Sequence, residues 1–196
     1  MAQTSLLIEE PQRPMAMHPK KFALWLFIVT VIMIFAALTS AYIVRKADGN
    51  WLEFPLPTIL WINSGIILLS SATIQWAYIS AKRNEFANLK LALIITSFLG
   101  IAFLVGHFEA WKDLVNMKVF FGGSTSNPSG SFLYVITGVH AVHLISGIIF
   151  LLVALFSSFN FKIHSKNMDQ LEMCATYWHF LDFLWIYLFS FLLLNN

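Results

Sequence analysis

Five stretches of roughly twenty or more residues, almost free of charge, run through this chain: about 22–44, 57–79, 91–111, 132–157 and 171–194. A hydrocarbon layer about 30 Å thick is crossed by roughly 20 apolar residues in a helix. Each stretch is therefore long enough to span a bilayer. A transmembrane barrel would alternate apolar and polar residues over about ten at a time, and these stretches do not alternate. The expected fold is all-α: an integral membrane bundle of five transmembrane helices.

Composition closes off the other classes. Charged residues make up 11% of the 196 and apolar residues 58%, where a soluble domain carries about 25% charged. Such a chain cannot cover a water-facing surface, so a soluble globule and a disordered segment are excluded. A net charge of +2, scattered along the chain, is too small for a phosphate-binding patch, so no nucleic acid is expected. A single cysteine excludes a disulfide framework and every multi-cysteine metal site.

The first stretch exceeds the 7–15 residues of a signal-peptide core and is read as a span. Residues 1–19 are expected to form a flexible cytoplasmic tail, and 20–196 a single membrane domain. Lys and Arg in the loops set the orientation. One side holds Arg13, Lys20, Lys21, Lys82, Arg83, Lys90, Lys162 and Lys166; the other holds Arg45, Lys46, Lys112 and Lys118. The N-terminus is thus expected inside and the C-terminus outside. Trp51, Trp61, Trp76, Tyr78 and Trp111 sit near span ends, as interfacial aromatics do. The longest loop, about 112–131, is turn-forming at 122–130 and lacks a phosphate-cradling motif. There is no internal repeat of the kind that builds transporters.

The most informative residues are polar ones placed where lipid should be. A carboxylate at mid-bilayer costs about 2.5–3.5 kcal/mol on insertion scales and normally faces protein or water. The fourth span holds His140 and His143; the fifth holds Glu172, His179 and Asp182. His140/His143 and His179/Asp182 are each spaced i,i+3 and share a helix face. At about 1.5 Å per residue, all but Glu172 fall in one slab near the midplane, with Glu172 at the inner rim. The expectation is that the fourth and fifth spans are antiparallel neighbours. The two histidines would then hydrogen-bond across to Asp182 and His179, with Gly147 allowing close approach. Metal or haem ligation and a proton relay are the competing readings. Cys174 is read as a buried small hydrophobe, and His107 and Glu109 as residues that snorkel or line a polar groove. His18 and His164 fall in aqueous segments and carry no signal.

At these same spans the chain resembles a known family. Gly130-Ser131-Phe132, then Gly138-Val139-His140-Ala141-Val142-His143 and Gly147, is similar to a GxHxxHxxxG pattern. Tyr177-Trp178-His179-Phe180-Leu181-Asp182-Phe183-Leu184-Trp185 is similar to the signature YWHFxDxxW, with Glu172 five residues before its Tyr. Trp25-Leu26-Phe27, Ser40-Ala41-Tyr42 and Arg45 add a looser match. Both signatures resemble subunit III of the haem-copper respiratory oxidases that oxidise cytochrome c or quinol. The resemblance covers about residues 20–194, in a short form lacking the first two of seven spans. Two departures stand out. Val31 occupies a position where the family often has Glu, and His107-Phe108-Glu109-Ala110 stands where it often has Gln or Glu followed by another acidic residue.

The resemblance implies a non-catalytic subunit with no metal and no cofactor of its own. Haem and copper would lie in partner subunits. It implies contact with oxidase subunit I and other oxidase subunits, bound phospholipid, and support of sustained proton uptake while the complex reduces dioxygen to water. It leaves room for a respiratory supercomplex. His140, His143, Glu172, His179 and Asp182 are the structural or proton-related candidates. The expected location is the inner membrane of a bacterium rather than of a mitochondrion. The rival functions are a haem-binding membrane redox protein and a small transporter or channel.

Overall fold

The computed structural model describes residues 19–49, 51–123, 126–159 and 168–195. Five helices account for nearly all of them: α1 (Pro19–Ala47), α2 (Ile59–Lys82), α3 (Phe86–Asn116), α4 (Pro128–Phe159) and α5 (Asp169–Asn195). Each is long and apolar enough to cross a membrane, as the five apolar stretches lead one to expect. The tail, except for Pro19, lies outside the described residues, as do Lys162, His164 and Lys166.

Local chemistry sets the helix ends. Pro19 and Pro128 open α1 and α4, where a missing N–H leaves no helical bond unmade. Asn127 precedes α4, and its side-chain oxygen accepts from the Ser129 N–H at 3.1 Å and the Ser129 hydroxyl at 2.9 Å. That is the geometry of an N-cap. Asp169 and Glu172 stand in the first turn of α5, where the helix dipole favours negative charge. The turn between α2 and α3 places Asn84 at φ +55°, a left-handed conformation that Asn tolerates. Most helices run one to five residues past their apolar stretches, because a helix need not stop where the hydrocarbon does. α2 is the exception at its start: it begins two residues after Pro57.

α2, α3, α4 and α5 close into a ring in which each packs on the next and α5 returns to α2; α1 lies against α4 and α5 alone. Neighbours in the ring are antiparallel, while α1 and α5 are parallel. Lys21 reaches Glu172 at one end, and the Tyr42 hydroxyl donates to the Asn195 carbonyl at the other, 3.1 Å away. These are called the Lys21 end and the Tyr42 end below.

The fold is apolar outside and partly polar inside. Phe183, Phe98 and Met33 are about three-quarters to two-thirds exposed, whereas Ser70, Thr96 and His140 are fully buried. Lipid as solvent removes the usual reason for apolar residues to hide. Buried hydroxyls are satisfied locally: Ser64, Thr96, Ser97 and Thr137 each donate to the carbonyl four residues back, a common device in helices without water.

The ring closes on Trp178. Its indole lies between Gly100 of α3 and Gly147 of α4. A Cβ at Gly100 would stand 2.7 Å from Trp178, and one at Gly147 would stand 2.8 Å from Leu181 and 3.5 Å from Trp178. Gly147 thus allows the close α4–α5 approach expected of it. A second apolar cluster joins α1 to α4 and α5, with Val31, Phe35, Ile136, Leu184 and Leu188 at its centre. Val31 is wholly buried there. The position at which the resemblance suggests a carboxylate is a dry valine contact.

Candidate functional site

Of the signature residues of α5, Trp178, His179 and Trp185 face α2, while the Tyr177 hydroxyl meets Ser146 of α4 at 2.8 Å. Trp178 Nε1 donates to Ser70 Oγ at 2.9 Å, and Trp185 Nε1 donates to Ser64 Oγ at 3.0 Å. The tryptophans are two turns apart on α5 and the serines nearly two turns apart on α2, so antiparallel helices bring them into register. Between them, His179 Nδ1 lies 2.7 Å from Ser71 Oγ, and His179 Nε2 lies 3.4 Å from Gln75 Oε1. The amide oxygen can only accept, so Nε2 carries the proton and Nδ1 accepts from Ser71. Four side-chain contacts thus tie α5 to α2.

This corrects one expectation. α4 and α5 are antiparallel neighbours, but His140 and His143 do not bond to Asp182 and His179. Three residues on a helix turn through about 300°, so an i,i+3 pair straddles a face some 60° wide, and a tight bundle puts different neighbours at its two edges. His143 turns toward α1. Its Nδ1 donates to its own Val139 carbonyl at 2.8 Å, and its ring packs against Phe27 and Phe35. His140 turns the other way, toward Phe103 and His107 of α3 and Trp185 of α5. Asp182 is 4% exposed, and its carboxyl stands near the Ser71 hydroxyl without the geometry of a full hydrogen bond.

Glu172 sits at the Lys21 end, half exposed. Lys21 of α1 bridges it at 2.9 Å and Asp169 at 3.0 Å. Beside it a cleft of about 240 Å³ opens between α2 and α5, lined by Gln75, Tyr78, Glu172, Ala175, Thr176 and His179. Glu172 and His179 therefore share a cleft, two turns apart on α5. His107 and Glu109 part company: His107 is buried, while Glu109 pairs with Lys112 on the exposed surface. Cys174 is free and buried.

Sequence reasoning missed the α2 residues Ser64, Ser70, Ser71 and Gln75. Their signal is present: Ser64 and Ser71 stand seven residues apart in an apolar stretch, on one helix face. Small hydroxyls in a membrane span are common helix contacts, and nothing along the chain says which helix they meet. Among the described residues no group of three or more His, Cys, Asp or Glu side chains is placed to hold a metal ion.

Comparison with known proteins places the whole chain. The family model described as cytochrome c oxidase subunit III matches residues 12–195. The cytochrome bo(3) ubiquinol oxidase subunit 3 of Buchnera aphidicola is 27% identical over 97% of this chain and 99% of its own length. The probable cytochrome c oxidase subunit 3 of Rickettsia bellii is 31% identical over 89% of this chain and 68% of its own. The cytochrome c oxidase subunit 3 of Oryctolagus cuniculus is 29% identical over 90% and 69%. With the match running through all five spans, the chain belongs to the subunit III family of the haem-copper terminal oxidases.

Proposed function

We propose that this subunit braces the oxidase rather than taking part in its redox chemistry. It packs beside subunit I and the other oxidase subunits, holds phospholipid along its apolar flanks and helps sustain proton uptake while the complex reduces dioxygen to water. Haem and copper reside in the partner subunits. The chain lies in the inner membrane of a bacterium with its N-terminus inside; eight Lys and Arg residues on that side against four on the other support this orientation.

The observation that carries the reading is the use to which the signature is put. Trp178, His179 and Trp185 hold α5 against α2, so these polar groups build a rigid body. The support for proton uptake is the cleft at the Lys21 end, where Glu172, Tyr78, Gln75 and His179 stand together. Glu172→Gln in the intact oxidase tests it. The expected result is an unchanged haem spectrum, with slower proton uptake, a correspondingly lower rate and a shorter catalytic lifetime. If uptake and lifetime both stay at the parent values, Glu172 has no part in proton supply.

A further inference from the structure

Two buried histidines are unaccounted for by the helix contacts. Both ring nitrogens of His107 and both of His140 lack a hydrogen-bond partner, and the side chains are 1% and 0% exposed. An unmade hydrogen bond at such a depth costs about 1–3 kcal/mol, and a histidine pair in this state calls for a bridging group.

The spacing says what the group is. The ring centres stand 6.0 Å apart, with the planes tilted by 40°. A direct N–H···N bond of about 2.9 Å would bring the centres to about 5 Å, so the rings are held too far apart for one. Their neighbours fix that width. One turn toward the Tyr42 end, Trp111 Nε1 donates to Thr137 Oγ1 at 3.1 Å and sets the α3–α4 separation. On the third side lies the Trp185 indole, 4.6 Å from His107 and 5.3 Å from His140, with its own N–H already given to Ser64.

We propose that His107 and His140 together bind one water molecule, which bridges α3 to α4 in the interior of the bundle. With both contacts at ordinary hydrogen-bond length, the 6.0 Å separation requires an angle of about 100° at the oxygen, close to the angle between the two O–H bonds of water. Each O–H then donates to the bare nitrogen of one imidazole. Each remaining N–H points toward an aromatic ring, a weak but real acceptor. The rings stand edge to face for it: 62° for His107 with Trp185, and 78° for His140 with Phe103. A metal ion bound at about 2.0–2.1 Å would need an angle of about 140°, which suits neither a tetrahedral nor a linear site. No third His, Cys, Asp or Glu among the described residues completes such a set.

Two measurements test this, both on the assembled oxidase. A density map at a resolution that shows ordered water should contain one peak within hydrogen-bond distance of a nitrogen on each ring. An empty space there, or a peak at metal–nitrogen distance matched by one equivalent of bound metal per chain, overturns the proposal. The second uses His107→Phe, His140→Phe and the double variant. A single change leaves the water with one anchor and the other imidazole bare, whereas the double change removes every unmet group. Both singles should therefore melt at a lower temperature than the double, or assemble in lower yield. Losses that simply add in the double variant contradict the bridge. If none of the variants assembles, the density measurement on the parent oxidase decides.

Discussion

At the scale of the residue, Val31 and Asp182 make opposite predictions. Val31 is wholly buried in an apolar cluster with Phe35, Ile136 and Leu184. Val31→Glu, at the position where the resemblance suggests a carboxylate, therefore buries an unpaired acid, at about 3 kcal/mol on insertion scales. The expected outcome is a marked loss of assembled subunit, read as band intensity in the purified oxidase; normal assembly would show that α1 has a polar neighbour in the complex. Asp182 is already a buried acid with only the Ser71 hydroxyl near it. Asp182→Asn keeps the shape, removes an ionisable group and leaves an amide that Ser71 can still meet, so the melting temperature should hold or rise. A fall of several degrees would reveal a partner supplied by the rest of the oxidase. His143 was legible as buried polar chemistry, but its direction was not. Its i,i+3 relation to His140 is equally compatible with one partner helix or two, and only the position of α1 decides between them.

At the scale of the element, the five helices were legible because a twenty-residue apolar run admits one regular structure in lipid. Their ends were less so, since they are set by caps and turns outside the hydrocarbon, as at Asn127. The α4–α5 neighbourhood was also readable, but its sound signal was Gly147 at the close approach and not the polar pairing, since His143 and His179 bond elsewhere. The α2–α5 seam was not. Serines such as Ser64 and Ser70 bond equally well to their own helix, and Ser64 does both. A close contact between elements lies around Trp178. Gly147→Val would press a branched side chain against Leu181 and Trp178, where even a Cβ meets an atom at 2.8 Å. Overpacking of this kind costs about 1–3 kcal/mol. Thermal unfolding in detergent should show a lowered midpoint, and Gly147→Ala should lie between the variant and the parent. A parent-like midpoint for Gly147→Val would mean that α4 and α5 separate easily. The Lys21 bridge to Asp169 and Glu172 is exposed at its partners and contributes little. Lys21→Gln should lower the same midpoint slightly at low salt and not at all at high salt.

At the scale of the whole molecule, an apolar exterior surrounds a bundle whose polar groups turn inward, and each strand of the functional reading depends on that inversion. α1 is the outlying member, with 22% of its apolar window buried against 50% for α5. Its free flank is broad enough to meet lipid or another subunit. The ring of α2 to α5 is tied at two levels: the indoles of Trp178 and Trp185 each bond to a serine of α2, and Trp178 is wedged against Gly100 and Gly147. A rigid body with its signature groups turned to its own helices is suited to hold a catalytic partner in shape. The most direct test is purification in mild detergent through an affinity tag on this chain, followed by the haem content of what is recovered. The account predicts that a haem- and copper-bearing subunit I comes with the chain in equal amount, and that the haem absorbance leaves with that subunit when the complex is dissociated. A chain that is recovered alone, or that keeps a Soret band of its own after dissociation, contradicts it.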